Sequence, residues 1–260
     1  MAHQFIQVER EGPLTLITLN RADVLNALHP PAHHELAEVF DVFASDPQQW
    51  VAIVTGSGLR AFCAGNDLKF RATHGRQSMP ETGFAGLTSR FDLDKPVIAA
   101  VNGLALGGGF ELALACDLVV ADEHAQFGLP EVTVGAAAMA GGLHRLPRLI
   151  GVQAAMGLAL TGRRIGAREA FALGCVNEVS PAGAAMDVAR RWAQQILQAA
   201  PLAVRAAKQV MLRGLYETTL RIAMANQDNY PAVSTMRASE DYLEGPRAFA
   251  DGRVPGWRAR

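Results

Sequence analysis

Asn102-Gly103-Leu104-Ala105-Leu106-Gly107-Gly108-Gly109-Phe110-Glu111-Leu112 is the stretch on which the fold turns. An apolar strand runs into three consecutive glycines and then into an apolar helix that carries one acidic residue. Glycines let a ligand approach the backbone closely. The first N–H groups of a helix have no internal acceptor and carry partial positive charge. Such an end can hold a developing oxyanion. Glu111 stands three residues after Gly108, one helical turn on and on about the same face. A carboxylate set in an apolar helix is costly unless it is paired or functional, and burial raises its pKa towards neutrality. The plainer alternative is a glutamate favoured by the dipole at a helix start.

Two further segments lie on either side. Gln126-Phe127-Gly128-Leu129-Pro130-Glu131-Val132 places Glu131 after a proline among apolar neighbours. Alone it reads as a loop carboxylate facing solvent; beside Glu111 it becomes the second half of an acid/base pair. Arg60-Ala61-Phe62-Cys63-Ala64-Gly65-Asn66-Asp67-Leu68 follows an apolar strand and holds a Gly-Asn-Asp turn. Gly56-Ser57-Gly58-Leu59-Arg60-Ala61 also fits a loose GxGxxA after a strand. No clean helix opens there, so a dinucleotide site is not supported.

Around these segments the first half alternates strands and helices. Residues 6–8 and 14–19 form a hairpin about Glu11-Gly12-Pro13. Residues 30–43 form a helix with proline near its start. Residues 51–54, 96–101 and 118–120 are short apolar strands, the pattern of a mostly parallel sheet covered on both faces. From about residue 152 the chain reads as helices: 152–160, 167–172, 183–199, 201–215, 218–228 and 233–242, with one strand at 176–179. Residues 71–90 have no clear period and read as a surface loop. The expected class is therefore α/β with a helical C-terminal region.

Bulk properties narrow the function. The 260 residues suffice for one large domain, or a domain with a helical appendage. Lys and Arg total 24 against 25 for Asp and Glu, which gives no nucleic-acid footprint. No run of about 18 apolar residues is present, so no membrane span is expected, and residues 1–10 lack the apolar region of a signal peptide. Cys63, Cys116 and Cys175 are three and far apart, which fits neither a disulfide framework nor a zinc knuckle. A reduced, cytoplasmic setting is the expectation. Cys116 reads as a buried helical thiol. The seven histidines form no metal pattern and read as solvated or capping, His33 and His34 included.

Taken together, the three segments resemble the crotonase (enoyl-CoA hydratase/isomerase) family. Ala61-Phe62-Cys63-Ala64-Gly65-Asn66-Asp67-Leu68 resembles its first oxyanion-hole motif. Residues 102–117 resemble its glycine-rich turn and helix. Phe127-Gly128-Leu129-Pro130-Glu131 resembles its second catalytic motif. The likeness extends from Asn26-Ala27-Leu28 to Glu244-Gly245-Pro246. Phe84-Ala85-Gly86-Leu87-Thr88, Asp94-Lys95-Pro96-Val97, Thr161-Gly162-Arg163-Arg164 and Ser239-Glu240-Asp241 are similar to the carnitinyl-CoA dehydratase (crotonobetainyl-CoA hydratase) subgroup.

The resemblance implies a spiral of ββα units over residues 1–195 and a helical trimerisation region over 196–260, assembling as a homotrimer or a dimer of trimers. It implies a lyase that adds water reversibly across the C2=C3 bond of a 2-enoyl-CoA thioester, with coenzyme A part of the substrate and no metal or other cofactor. Glu111 and Glu131 would be catalytic, and the backbone N–H groups of Asn66 and Gly108 would form the oxyanion hole. Ala64, Gly65, Asn66, Asp67, Leu68, Gly107 and Gly108 would line the thioester site. The alternatives within the family are isomerisation or thioester hydrolysis. Isomerases commonly work with one acidic residue, and here both glutamates are present. A catalytically silent scaffold binding CoA or RNA is the alternative from another class. In one place the chain departs from the family. Where relatives carry a Pro-Gly turn after the second glutamate, this chain has Ala138 and Met139, and Met139 is expected to wall the acyl end of the pocket.

Overall fold

The computed structural model describes residues 3–75 and 77–260. Met1 and Ala2 of the N-terminal segment, and Arg76 of the segment read as a loop, lie outside the described residues. The elements in chain order are β1 (Ile6–Glu11), β2 (Leu14–Leu19), α1 (Pro30–Ser45), β3 (Val51–Gly56), β4 (Ala61–Cys63), α2 (Leu68–His74), β5 (Val97–Val101), β6 (Leu104–Leu106), α3 (Gly108–Ala115), β7 (Leu118–Asp122), β8 (Gln126–Gly128), α4 (Gly142–Ile150), α5 (Val152–Thr161), β9 (Ile165–Gly166), α6 (Ala167–Leu173), β10 (Glu178–Ser180), α7 (Ala185–Leu197), α8 (Pro201–Gly214), α9 (Leu220–Asn226), α10 (Pro231–Arg237) and α11 (Glu240–Ala250).

The strands form two sheets, one of six in the order β1-β2-β3-β5-β7-β10 and one of four in the order β4-β6-β8-β9. Consecutive strands enter the two sheets in turn: β3 then β4, β5 then β6, β7 then β8. Helices α2 and α3 follow the first two pairs. That is the expected α/β spiral of ββα units. Within the large sheet β2, β3, β5, β7 and β10 pair in parallel, and only the β1–β2 hairpin is antiparallel.

The period of two in these strands sorts their side chains between two cores. Ala52, Val54, Ala99 and Val101 face inward with Phe62, Phe110 and Phe127. Val51, Ile53, Ile98 and Ala100 face the other way, onto Ala185, Val188, Ala189 and Ala193 of α7. Both faces of the sheet are therefore covered, which is why its strands read as unbroken apolar runs. A third, smaller cluster of Ala206, Tyr230, Ala232 and Val233 ties α8 to α10.

The structure corrects four readings. Residues 233–242 are two helices rather than one, because Ser239 Oγ accepts the Tyr242 N–H at 3.1 Å and starts a new helix there. Residues 71–90 are only partly surface: α2 runs to His74, and Phe84, Ala85, Leu87 and Thr88 are buried against α1. Three apolar residues so close together in a polar stretch establish no periodicity, which hid this packing. His29 and His33 are buried, not solvated. Met139 is 80% exposed, while Ala138 is buried, so in this chain the methionine does not wall a pocket.

Candidate active site

Strand β6 ends at Leu106, and the next residue, Gly107, has a φ of +55° that turns the chain sharply into α3. A side chain is doubly excluded there. The conformation disfavours a Cβ, and a Cβ would sit 2.8 Å from Glu131 Oε1. Two residues on, a Cβ at Gly109 would lie 1.9 Å from the Cys63 carbonyl oxygen. The glycines thus let the first turn of α3 rest directly on the end of β4. This close approach brings the segments around residues 65 and 108 together. A Cβ at Gly65, which has φ +94°, would stand 3.1 Å from Gly108 N.

The Asn66 backbone is fixed from both sides. Leu28 N–H donates to Gly65 O and Asp67 N–H donates to Leu28 O, each at 2.8 Å. The Asn66 N–H between them points the other way. Among the described residues, neither the Asn66 N–H nor the Gly108 N–H donates to a protein acceptor. Two free donors therefore stand on adjoining segments at the mouth of α3.

Asp67 does not offer its carboxylate to the site. Oδ1 accepts the Phe70 N–H at 3.0 Å as the cap of α2, and Oδ2 accepts from Arg21 at 3.0 Å. Burial pushes its pKa up, but Phe70 N–H and Arg21 outweigh that and leave it below the ordinary range. Arg21 also donates to the Ala27 carbonyl, so it ties the Asn66 loop to the segment after β2. Leu68 is exposed and Ala64 half-buried, its N–H donating to Leu25 O at 3.0 Å.

Glu111 is 3% exposed on the first turn of α3. Its Oε1 accepts the Gly142 N–H at 2.8 Å. Its pKa is raised to about 7: burial is the main cause and Glu131 nearby adds to it, and together they outweigh the N–H groups of Gly142 and Ala140 and the Arg145 guanidinium, which hold it down. Glu131 lies on a 3₁₀ turn, Pro130–Val134, started by its proline and closed at Gly135. Its Oε2 is buried without a hydrogen-bond partner, and burial raises its pKa too. Two neighbouring carboxyls with raised pKa values, one accepting a backbone N–H and one with a buried oxygen that has no partner, are suited to take up and release a proton.

Glu111, Glu131, Asn66, Gly65, Gly107 and Gly108 are thus brought into one place. Sequence reading missed the groups that hold them. Gly142 supplies the N–H on Glu111. Arg145 donates to the Thr88 carbonyl at 2.8 Å and lies close enough to act on Glu111. Arg21 holds Asp67. The Gly141-Gly142 pair and the arginine three residues later were visible, but nothing local to α4 says which glutamate it faces.

Residues 9–260 match the enoyl-CoA hydratase/isomerase family. A carnitinyl-CoA dehydratase from Citrobacter koseri is 45% identical over 261 residues, covering 96% of this chain and 97% of that protein. One from Escherichia coli (strain K12) is 43% identical over 266 residues, covering 98% of each. Among solved structures, an enoyl-CoA hydratase from Mycobacterium tuberculosis H37Rv superposes with a TM-score of 0.92 at 40% identity, covering 98% of this chain and 99% of that one. An enoyl-CoA hydratase from Bacillus anthracis gives 0.90 at 38% identity, covering 99% and 100%.

Proposed function

The chain belongs to the enoyl-CoA hydratase/isomerase family, and from that premise we propose that it is a hydratase adding water reversibly to 2-enoyl-CoA thioesters. The observation that carries this reading is the pair of raised-pKa carboxyls beside two free backbone donors. One carboxyl would suffice to shuttle a proton between two carbons. Water addition needs two transfers, one from the water and one to C2.

In the proposed step, ionised Glu111 takes a proton from water as the water oxygen bonds to C3. The electron pair of the double bond shifts through C2 onto the thioester oxygen. The Asn66 and Gly108 N–H groups hold that oxyanion, an interaction stronger in the transition state than in the ground state. Protonated Glu131 gives its proton to C2 and the carbonyl reforms. Coenzyme A enters as part of the substrate, and the step calls on no further cofactor.

A second, narrower reading is favoured by the two carnitinyl-CoA dehydratase relatives: the acyl group carries a trimethylammonium end, as in crotonobetainyl-CoA. The subunits associate, in this reading as a trimer or a dimer of trimers, in the cytoplasm. Surface area supports association. The chain exposes 13379 Å², where a compact monomer of 27.7 kDa exposes about 11,000 Å². Met156 and Leu160 on α5, Met211 on α8, and Leu215 and Leu220 beyond it are among the apolar side chains left uncovered. Among the described residues no helix is long and apolar enough to cross a membrane.

The test is loss of the enoyl-thioester absorbance when crotonyl-CoA, longer 2-enoyl-CoAs or crotonobetainyl-CoA is added. No loss with any of them sinks the hydratase reading, and release of free CoA thiol replaces it with hydrolysis. Faster turnover of crotonobetainyl-CoA than of crotonyl-CoA selects the narrower reading.

A further inference from the structure

We propose that His33, a buried histidine outside the acid/base pair, is a positioning residue that sets the oxyanion donor Gly108 by holding Phe84 against it. This rests on the donor role assigned to Gly108 above. Three contacts connect the residues. His33 on α1 is 0% exposed, and its Nδ1 accepts the Ala85 N–H at 3.0 Å. Its ring lies 4.4 Å from that of Phe84, centroid to centroid, tilted by 58°. The far edge of Phe84 covers Gly108: a Cβ there would fall 2.5 Å from Phe84 Cζ.

The turn that His33 grips is not in a relaxed conformation. Ala85 has φ +54°, a left-handed value that a residue with a Cβ seldom adopts without an external hold. Gly86 is pressed so close to α1 that a Cβ would lie 2.4 Å from Ala37 N. The Ala85 N–H to His33 Nδ1 bond holds this turn against the helix at Phe84, while Arg90 ties its far side, donating to Gly86 O at 3.1 Å and to Ala37 O and Asp41 Oδ1 of α1 at 3.3 and 2.7 Å. The bond to His33 requires a neutral ring with a free lone pair on Nδ1. Burial, with Coulombic repulsion from His29, His34 and Arg21 acting in the same direction, lowers the pKa of His33 to about 3 and secures that state. The proton then sits on Nε2, which is buried and has no partner among the described residues. A valine or leucine would remove the orphaned Nε2 but would leave the Ala85 N–H without an acceptor, so what the imidazole supplies here is Nδ1.

A donor must stand at hydrogen-bond distance from where the oxyanion forms, and small displacements are expensive in rate. If His33 acts through Phe84, the two must be coupled. The experiment follows the backbone amide of Gly108 by TROSY NMR on glycine-¹⁵N-labelled protein, because a phenylalanine ring over that residue shifts its resonance. It pairs this with turnover of crotonyl-CoA. His33→Leu and Phe84→Ala are each expected to move the Gly108 resonance and to lower kcat about tenfold or more, with little change in KM. His33→Asn, whose Oδ1 takes the place of Nδ1, is expected to restore both. In the double variant, His33→Leu should add almost nothing to Phe84→Ala, whereas independent effects would add in full. A Gly108 resonance unmoved in His33→Leu, or full additivity, overturns the proposal. Should His33→Leu not fold, His33→Gln displaces the acceptor by one bond, and an unmoved resonance there overturns it equally. A wild-type enzyme inert towards every 2-enoyl-CoA would sink the hydratase reading while the NMR result still decides whether His33 sets Gly108.

Discussion

Glu111 stands on the first turn of α3, a helix buried without interruption from Gly108 to Leu114, whereas Glu131 stands on a single 3₁₀ turn with no fully buried residue. The first glutamate is held by the core behind it and by the Gly142 N–H at 2.8 Å in front. The second has one oxygen against the Gly107 turn and the other without a partner. The difference suits the two tasks proposed for them. A base that must face one water from one direction gains from rigidity. An acid that must deliver a proton and then recover it needs an unoccupied lone pair and room to reach. Both carboxyls are desolvated, but only Glu111 is tied by a hydrogen bond to a distant segment, while Glu131 keeps an oxygen without a partner.

The comparison breaks first at the carboxyls themselves. Glu111→Gln and Glu131→Gln should each lower hydration of crotonyl-CoA about 10²–10⁴-fold, because a positioned acid or base typically contributes that much. Affinity for the CoA thioester, measured by calorimetry, should stay close to that of the unmodified protein in both. Near-normal turnover in either variant would remove that residue from the chemistry.

A smaller effect separates the two supports. Gly142→Ala would place a Cβ 2.8 Å from Glu111 Cγ and 3.0 Å from its Oε1. The locked side chain cannot withdraw into the core, so the substitution should displace the carboxylate and cost about 10- to 100-fold in kcat. Gly107→Ala would meet only the tip of Glu131, 2.8 Å from Oε1 and 3.3 Å from Cδ, the far end of a flexible side chain. Its cost should come chiefly from the φ of +55° and appear as lost thermal stability more than as lost turnover by Glu131. Steady-state kinetics and thermal melts on the pair measure this. Equal kcat losses at equal stability would mean that the two carboxyls are equally constrained.

The sequence revealed some of this more plainly than the rest, for physical reasons. The strands at 51–56 and 97–101 are buried on both faces and so are apolar at every position. The three glycines and Glu111 are legible because no ordinary structural role asks for that run at a helix start. Strands β4, β8 and β9 are three residues or fewer and fall below any period. The contacts that hold the site are long-range. Gly142 meets Glu111 across 31 residues, Arg21 meets Asp67 across 46, and His33 meets Ala85 across 52. A histidine pattern read locally could only suggest solvent. Its burial is decided by a turn that lies on the other side of two strands and a helix.

The smallest expected effect is thermodynamic, and it sharpens the comparison without any substrate. Burial moves Glu111 from its ordinary 4.5 to about 7. A carboxyl with a raised folded-state pKa binds its proton more tightly when folded than when unfolded. Between about 4.5 and about 7 the native state therefore carries more protons, and stability falls as pH rises through that window. Below it both states are protonated and the penalty vanishes; above it the full penalty, on the order of 3 kcal/mol, is in place. Glu111→Gln removes the charge but leaves an amide group that the pocket does not satisfy, which offsets about 1–3 kcal/mol. The net gain at pH 8 should be on the order of 1 kcal/mol, a rise in Tm of about 2–4 °C. At pH 5 the gain should disappear or reverse, since the protonated wild-type side chain no longer bears the charge. Glu131→Gln, on the less buried turn, should show the same sign with a smaller difference between the two pH values. Thermal melts of the three proteins at pH 5 and pH 8 decide it. A pH dependence of Glu111→Gln identical to that of the unmodified chain would mean that Glu111 is not the group whose burial the fold has to sustain.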